Sequence, residues 1–297
     1  MSTDSLTAGP AQSARPSAAA PAMSWLRFFR SDLRLVFGRW RNLAMLAVVV
    51  ILPIAFGVLF RLTINSGSGN TGGGGPAFLN QLAGNGVFLA LVVLTFMLLL
   101  LLPLVTAVIS GDSIAGEAGL GTLRGLLTVP AGRTRLLTVK YAVIVTFSLV
   151  SCLLVAGVSL VMGLLLFPTG PVTTLSGTTI SLGSGVLRVL VIALYAAAAM
   201  ASLGAIGLAA STLTEHSIGA MAALLILVIG SEIADQVPQL SGIHPYLPTH
   251  FWSSWDGLFR DPVDVSGMQH GLLSFLVYFV IFGGIAWARL NSADVTS

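Results

Sequence analysis

Long apolar runs decide what this chain can fold into. Six stretches, about Asn42–Phe60, Val87–Ile109, Tyr141–Phe167, Val186–Thr212, Ile218–Ile233 and Gly271–Trp287, carry almost no charge. A helix needs roughly 20 apolar residues to cross the hydrocarbon core, within a range of about 17–25. Charged residues make up 8% of the chain, against roughly 25% in a soluble domain. The mean hydropathy of +0.94 leaves too much apolar surface for a soluble fold of this length to bury. The chain therefore reads as an all-α integral membrane protein with six transmembrane helices. The third stretch is long enough to need tilt, and the fifth and sixth are short. Pro53 and Pro103 interrupt the first two and are expected to kink them. Ala197, Ala201, Gly204 and Gly207 in the fourth permit close helix approach. The single cysteine, Cys152, sits in an apolar run and can form no internal disulfide.

The basic residues orient the bundle. With both termini inside, the inner face collects Arg15, Arg27, Arg30, Arg34, Arg39, Arg41, Arg124, Arg133, Arg135, Lys140 and Arg289. The outer face keeps only Arg61, Arg188 and Arg260. This bias predicts cytoplasmic termini and a multi-pass protein of the plasma (cytoplasmic) membrane. Three segments follow: a disordered tail over 1–23, rich in Ser, Ala, Thr and Pro; a membrane domain over 24–289; and a short cytoplasmic tail over 290–297.

Ser24–Arg41 is amphipathic. Leu26, Phe29, Leu33, Phe37 and Trp40 recur at helical spacing, and Arg27, Arg30 and Arg34 take other positions. Ser24 is a candidate N-cap. The pattern predicts an interfacial helix whose aromatics dip inward and whose arginines meet anionic lipid phosphates. Near the other face, Asp235–His270 holds Tyr246, Trp252 and Trp255 with prolines at 238, 245, 248 and 262. Trp and Tyr favour the membrane interface. With the short fifth stretch, this predicts outer re-entrant helices before the last span. Glu232 is the most membrane-embedded acid and lies near an end, within reach of water. Ser66–Gly75 is glycine-rich but lacks the Gly-Lys-Ser/Thr ending of a phosphate loop, so it reads as a flexible linker.

Catalytic chemistry finds no support. The spans offer no nucleophile with a base, no paired carboxylates and no metal ligands at helical spacing. The expected sites are thus catalytic none, metal none and cofactor-binding none.

The polar segment Gly111–Lys140 lies between two spans and must sit in water. Thr122 can cap a short helix that Pro130 ends. Leu123, Leu126 and Leu127 then form a narrow apolar stripe suited to a groove on another protein. Glu117 is expected to orient that helix or to pair with Arg133 or Arg135. Glu117, Gly121, Thr122, Leu126, Leu127, Pro130 and Lys140 form the pattern E-x3-G-T-x3-L-L-x2-P-x9-K.

This pattern, in this topological position, resembles the type-2 ABC exporter permease family (ABC-2). The resemblance covers about Trp25–Arg289. It departs at Arg124, where an acidic residue commonly follows Gly-Thr-Leu. The resemblance implies that the short helix is a coupling helix for a separate ATP-binding cassette subunit. ATP and Mg would then be bound by that partner and not by this chain. It further implies dimerisation with a second permease copy or a paralogue, no nucleic-acid partner, and a route lined by spans two and five. The spans carry no charge cluster, which favours an amphipathic or apolar cargo such as a drug, an antibiotic or a lipid. An ATP-independent secondary transporter and an intramembrane enzyme are the alternatives. The first would need coupling groups within the spans, and the second a catalytic group.

Overall fold

Runs of Leu, Val, Ala and Ile free of Asp, Glu and Lys leave the backbone one way to satisfy its polar groups in an apolar medium, which is to bond within each segment as a helix. The structure, a computed structural model, describes residues 21–65, 85–119, 133–170, 172–173 and 178–292. Its helices are α1 (Pro21–Gly38), α2 (Trp40–Asn65), α3 (Val87–Leu99), α4 (Leu101–Gly111), α5 (Ala115–Gly119), α6 (Arg133–Leu166), α7 (Leu182–Leu213), α8 (Ser217–Asp235) and α9 (Ser266–Ser292). A two-residue antiparallel ladder, β1 (Val172–Thr173) with β2 (Thr179–Ile180), pairs Val172 with Ile180.

Five helices (α2, α6, α7, α8 and α9) are long and apolar enough to cross a membrane, and the bent pair α3–α4 makes a sixth if counted as one span. All six stretches expected from the sequence fall on these elements, with longer helical ends. The α3–α4 bend is 49°. Pro103 lies just past it and has no N–H, so the Leu99 carbonyl loses its helical donor. Pro53, by contrast, is accommodated inside one continuous α2.

α7 is the centre of the bundle. Of its most apolar stretch, 72% is buried, against 17% for α9 and 22% for α2 and α8. Small residues make this possible. A Cβ on Gly204 would meet Ile144 at 2.5 Å, and one on Gly207 would meet the Ser110 hydroxyl at 2.0 Å. The start of α3 and α6 meet backbone to backbone, since a Cβ on Gly86 or Gly163 would stand 2.1 Å from the other's carbonyl oxygen. Cys152 is fully buried in this core. Large side chains such as Ile51, Leu59, Ile226, Ile233, Leu273 and Val280 point outward from α2, α8 and α9. A continuous outward-facing apolar surface of this kind requires a nonpolar surrounding.

α1 differs from its expected form. Ser24, the expected N-cap, lies inside the helix, which begins at Pro21. Phe29, Leu33 and Phe37 face the bundle, with Phe37 5.0 Å from the Phe147 ring. Leu26 is exposed, and Trp40, beyond a break at Arg39, opens α2 and is 84% exposed. Asp32, not an aromatic, is the most buried residue of the packed face.

The expected re-entrant helices before the last span do not form. Residues 236–265 make turns and three short 3-10 helices, Pro238–Leu240, His244–Tyr246 and Asp256–Phe259. The prolines at 238, 245, 248 and 262 supply no N–H and interrupt any longer ladder. Trp252 and Trp255 are buried in the core of the protein. Trp255 meets Tyr195 edge-on at 6.3 Å. Tyr246 is 77% exposed, and Glu232 is half-buried beside Thr249. The coupling-stripe residues Gly121, Thr122, Leu123, Leu126, Leu127 and Pro130 lie outside the described residues, as do Ser66–Gly75 and most of both expected tails.

Candidate functional site

The strongest concentration of buried charge lies at one end of the bundle, where α1, α4, α5 and α6 meet. Lys140 projects from the first turns of α6 and is 7% exposed. Its Nζ donates to Asp32 Oδ1 of α1 at 2.8 Å and also to Glu117 Oε1 of α5. An ammonium has three donors and no acceptor, so one lysine can hold two carboxylates at once. Asp32 is 6% exposed, and stranding either acid here would be expensive.

A second group completes the charge balance. Arg39 donates to Asp112 Oδ2 at 2.7 Å, and Arg41 donates to the same oxygen at 2.8 Å. Asp32 and Glu117 with Lys140 sum to minus one. Asp112 with Arg39 and Arg41 sums to plus one. The six groups together are neutral, with Lys140 and Asp32 buried and Arg39 and Arg41 half-exposed at the rim. Five of them line one small cavity of about 50 Å³, beside Asn42 and Ser113. Asn42 donates to the Val36 carbonyl at 2.8 Å and so ties α2 to the end of α1.

α5 is gripped from its other side by α7. The Ser211 hydroxyl accepts from the backbone N–H of Ile114 at 3.1 Å and of Ala115 at 2.8 Å. It donates to the Gly111 carbonyl at 2.9 Å. These donors are the otherwise unsatisfied amides at the start of α5. The short helix is therefore held to both α6 and α7 at the point where the chain enters residues 120–132.

Glu117, expected to orient the helix or to pair with basic residues such as Arg133 or Arg135, forms an ion pair with Lys140. Arg133 donates instead to the carbonyls of Leu290 at 3.1 Å and Asn291 at 2.9 Å. It serves the C-terminal end of α9, where a cation is favoured. Trp287 Nε1 donates to Thr134 Oγ1 at 3.0 Å and closes the same contact. Asp32, Asp112 and Ser211 make contacts in this cluster that the sequence reading missed. Asp32 is the one acid in an arginine-rich amphipathic stretch, which is the signal that could have found it. Ser211 carries no such signal.

The opposite end of the bundle is held differently. Tyr195 of α7 donates to the Phe251 carbonyl at 2.5 Å. Arg188 donates to the Leu258 carbonyl and lies 5.9 Å from the Phe259 ring centroid. Ser231 and Thr249 share a buried hydrogen bond of 2.8 Å. His250 Nδ1 lies 2.6 Å from Asp235 Oδ1. Tyr246, Trp252 and Trp255 thus belong to a cap packed on α7, α8 and α9, and Glu232 meets that cap from α8 through Thr249. Among the described residues, no group of three or more His, Cys, Asp or Glu side chains is placed to hold a metal ion.

A family model described as ABC-2 family transporter protein matches residues 39–231. That is more than half of the chain. The chain belongs to the ABC-2 transporter family. No curated protein sequence matches it significantly. ABC-2 permease domains are membrane transport components and are not themselves catalytic. The match contains Arg39, Arg41, Asp112, Glu117, Lys140 and Ser211. It begins after α1 and stops before α9, so Asp32 is brought to an ABC-2 core from outside the matched region.

Proposed function

We propose that this chain is the membrane-spanning subunit of an ATP-driven ABC exporter in the plasma membrane. A separate ATP-binding cassette subunit would supply the energy, with ATP and Mg bound there. The end carrying Lys140 would face the cytoplasm together with both termini. Arg27, Arg30, Arg34, Arg39, Arg41, Arg133, Arg135, Lys140 and Arg289 gather at that end, and Arg61, Arg188 and Arg260 lie toward the other. This asymmetry supports the orientation.

The observation that carries the reading is the double anchoring of α5. Residues 120–132, with Leu123, Leu126 and Leu127, are the proposed docking helix for the cassette. α5 leads directly into them. A displacement of that helix would reach α6 through Glu117 and Lys140, α1 through Asp32, and α7 through Ser211. Coupling between distant sites needs a contiguous physical connection of this kind. The outward apolar faces of α2 and α8 would meet lipid and a second permease copy or paralogue. The apolar character of the spans favours an amphipathic or apolar cargo, such as a drug, an antibiotic or a lipid.

Co-purification with the cassette tests the proposal. The wild-type chain should bring the cassette with it and stimulate its ATPase. Leu126→Asp with Leu127→Asp should abolish both while leaving the permease folded. Unchanged assembly and transport in that variant would refute the coupling role.

A further inference from the structure

The five arginines between Arg27 and Arg41 divide into two sets that the sequence alone does not separate. Arg39 and Arg41 are neutralised by Asp112. Arg27, Arg30 and Arg34 make no ion pair among the described residues. Their spacing of three and four residues places them along one exposed face of α1. With Ser31 and Leu35 they line an open groove. Like charges at this spacing repel weakly, and an anion bound along the row would relieve that repulsion. The opposite face of the same helix holds Asp32 on Lys140.

We propose that Arg27, Arg30, Ser31 and Arg34 form a headgroup site for an anionic phospholipid. Guanidinium groups match phosphate oxygens in paired hydrogen bonds, and a hydroxyl adds a further donor. The edges of the groove argue for a lipid over free phosphate. Leu26 is 51% exposed and Leu35 60% exposed, and Trp40 stands open just beyond α1. A row of cations bordered by apolar side chains fits a molecule with a charged head and an acyl body. α1 packs against the start of α6, at the level where the apolar spans begin, so the headgroup layer is within its reach.

The binding claim stands on α1 alone, and its effect on transport rests on the coupling role proposed above. Because one helix carries both the headgroup site and Asp32, lipid occupancy sets the position from which Asp32 meets Lys140. An anionic bilayer is thereby required for full coupling.

The test uses the full-length chain, delipidated in neutral detergent and titrated with phosphatidylglycerol or phosphatidylcholine, with bound lipid counted by native mass spectrometry. Wild type should retain phosphatidylglycerol preferentially, and millimolar inorganic phosphate should not displace it. Each of R27Q, R30Q and R34Q should weaken binding roughly fivefold, and the triple variant by about a hundredfold. Arg260→Gln, a matched charge removal at the opposite end, should leave retention unchanged. Equal retention of the two lipids, or undiminished phosphatidylglycerol binding in the single variants, would overturn the site. Displacement by inorganic phosphate would reassign it to a free anion. If the triple variant does not fold, the three single variants decide. A wild-type chain that binds phosphatidylglycerol but never stimulates a cassette would instead overturn the coupling role and leave the lipid site standing.

Discussion

Lys140, Asp32 and Glu117 hold one end of the bundle with buried ion pairs, whereas Tyr195, Ser231, Trp252 and Trp255 hold the other mainly with neutral hydrogen bonds and packed rings, the charged contacts there being the partly exposed ones of Arg188, Asp235 and Asp256. The two solutions respond differently to displacement. A neutral hydrogen bond contributes about 1 kcal/mol net, and its loss is local. A buried ion pair adds little net stability, but removing one partner leaves an uncompensated charge and costs roughly 3–5 kcal/mol. The charged end is thus a junction whose parts must move together. The neutral end is a cap that can be trimmed piece by piece.

Substitutions can break or sharpen this contrast. Lys140→Met should have the largest effect, destabilising the chain by roughly 3–5 kcal/mol, because it leaves buried Asp32 without its cation and removes an ion pair from Glu117. Unfolding midpoints in mild detergent would measure it, and adding Asp32→Asn should recover part of the loss. At the opposite end Gly163→Ala should cost about 1–3 kcal/mol, since its new methyl meets the Gly86 carbonyl at 2.1 Å. Tyr195→Phe should cost only about 1 kcal/mol, through the lost bond to the Phe251 carbonyl. If Lys140→Met costs no more than Tyr195→Phe, the two ends do not differ in the way described.

The smallest effect concerns pH at the start of α9. The hydrogen bond from Ser266 holds the Asp264 carboxyl below the usual carboxylate range. A carboxyl depressed on folding stabilises the native state above its unfolded titration range and loses that contribution as pH falls through its folded value. Amide exchange in the first turn of α9 should therefore quicken as pH drops below about 4, and Asp264→Asn should remove that dependence. Exchange that stays pH-independent in wild type, after correction for intrinsic rates, would contradict this.

The spans were legible because burial in an apolar medium is imposed residue by residue, and hydropathy reports it directly. Glu117 and Lys140 were legible as a spaced pair flanking a polar segment, though their contact with each other was not. Asp32 stands far from Lys140 in sequence, and no periodicity links them. Arg133 misled for a related reason: the carbonyls at the end of α9 compete for it, and only the folded bundle brings them near. Trp252 and Trp255 were placed at the interface by their general preference. Here Gly271 lets Tyr195 and Phe251 come together beneath the cap, since a Cβ on it would meet the Tyr195 hydroxyl at 1.9 Å. That arrangement draws both indoles into the core.

Ser211 has a consequence for where force enters the bundle. Its hydroxyl accepts two bonds and donates one, so it has nothing left to exchange when α5 shifts. Sliding the junction between α4 and α5 past α7 would break all three bonds together. Since α7 is the most enclosed of the candidate spans, a thrust on α5 of the kind proposed above would reach the axis before the lipid-facing rim. The outer helices would then respond as spokes follow a hub.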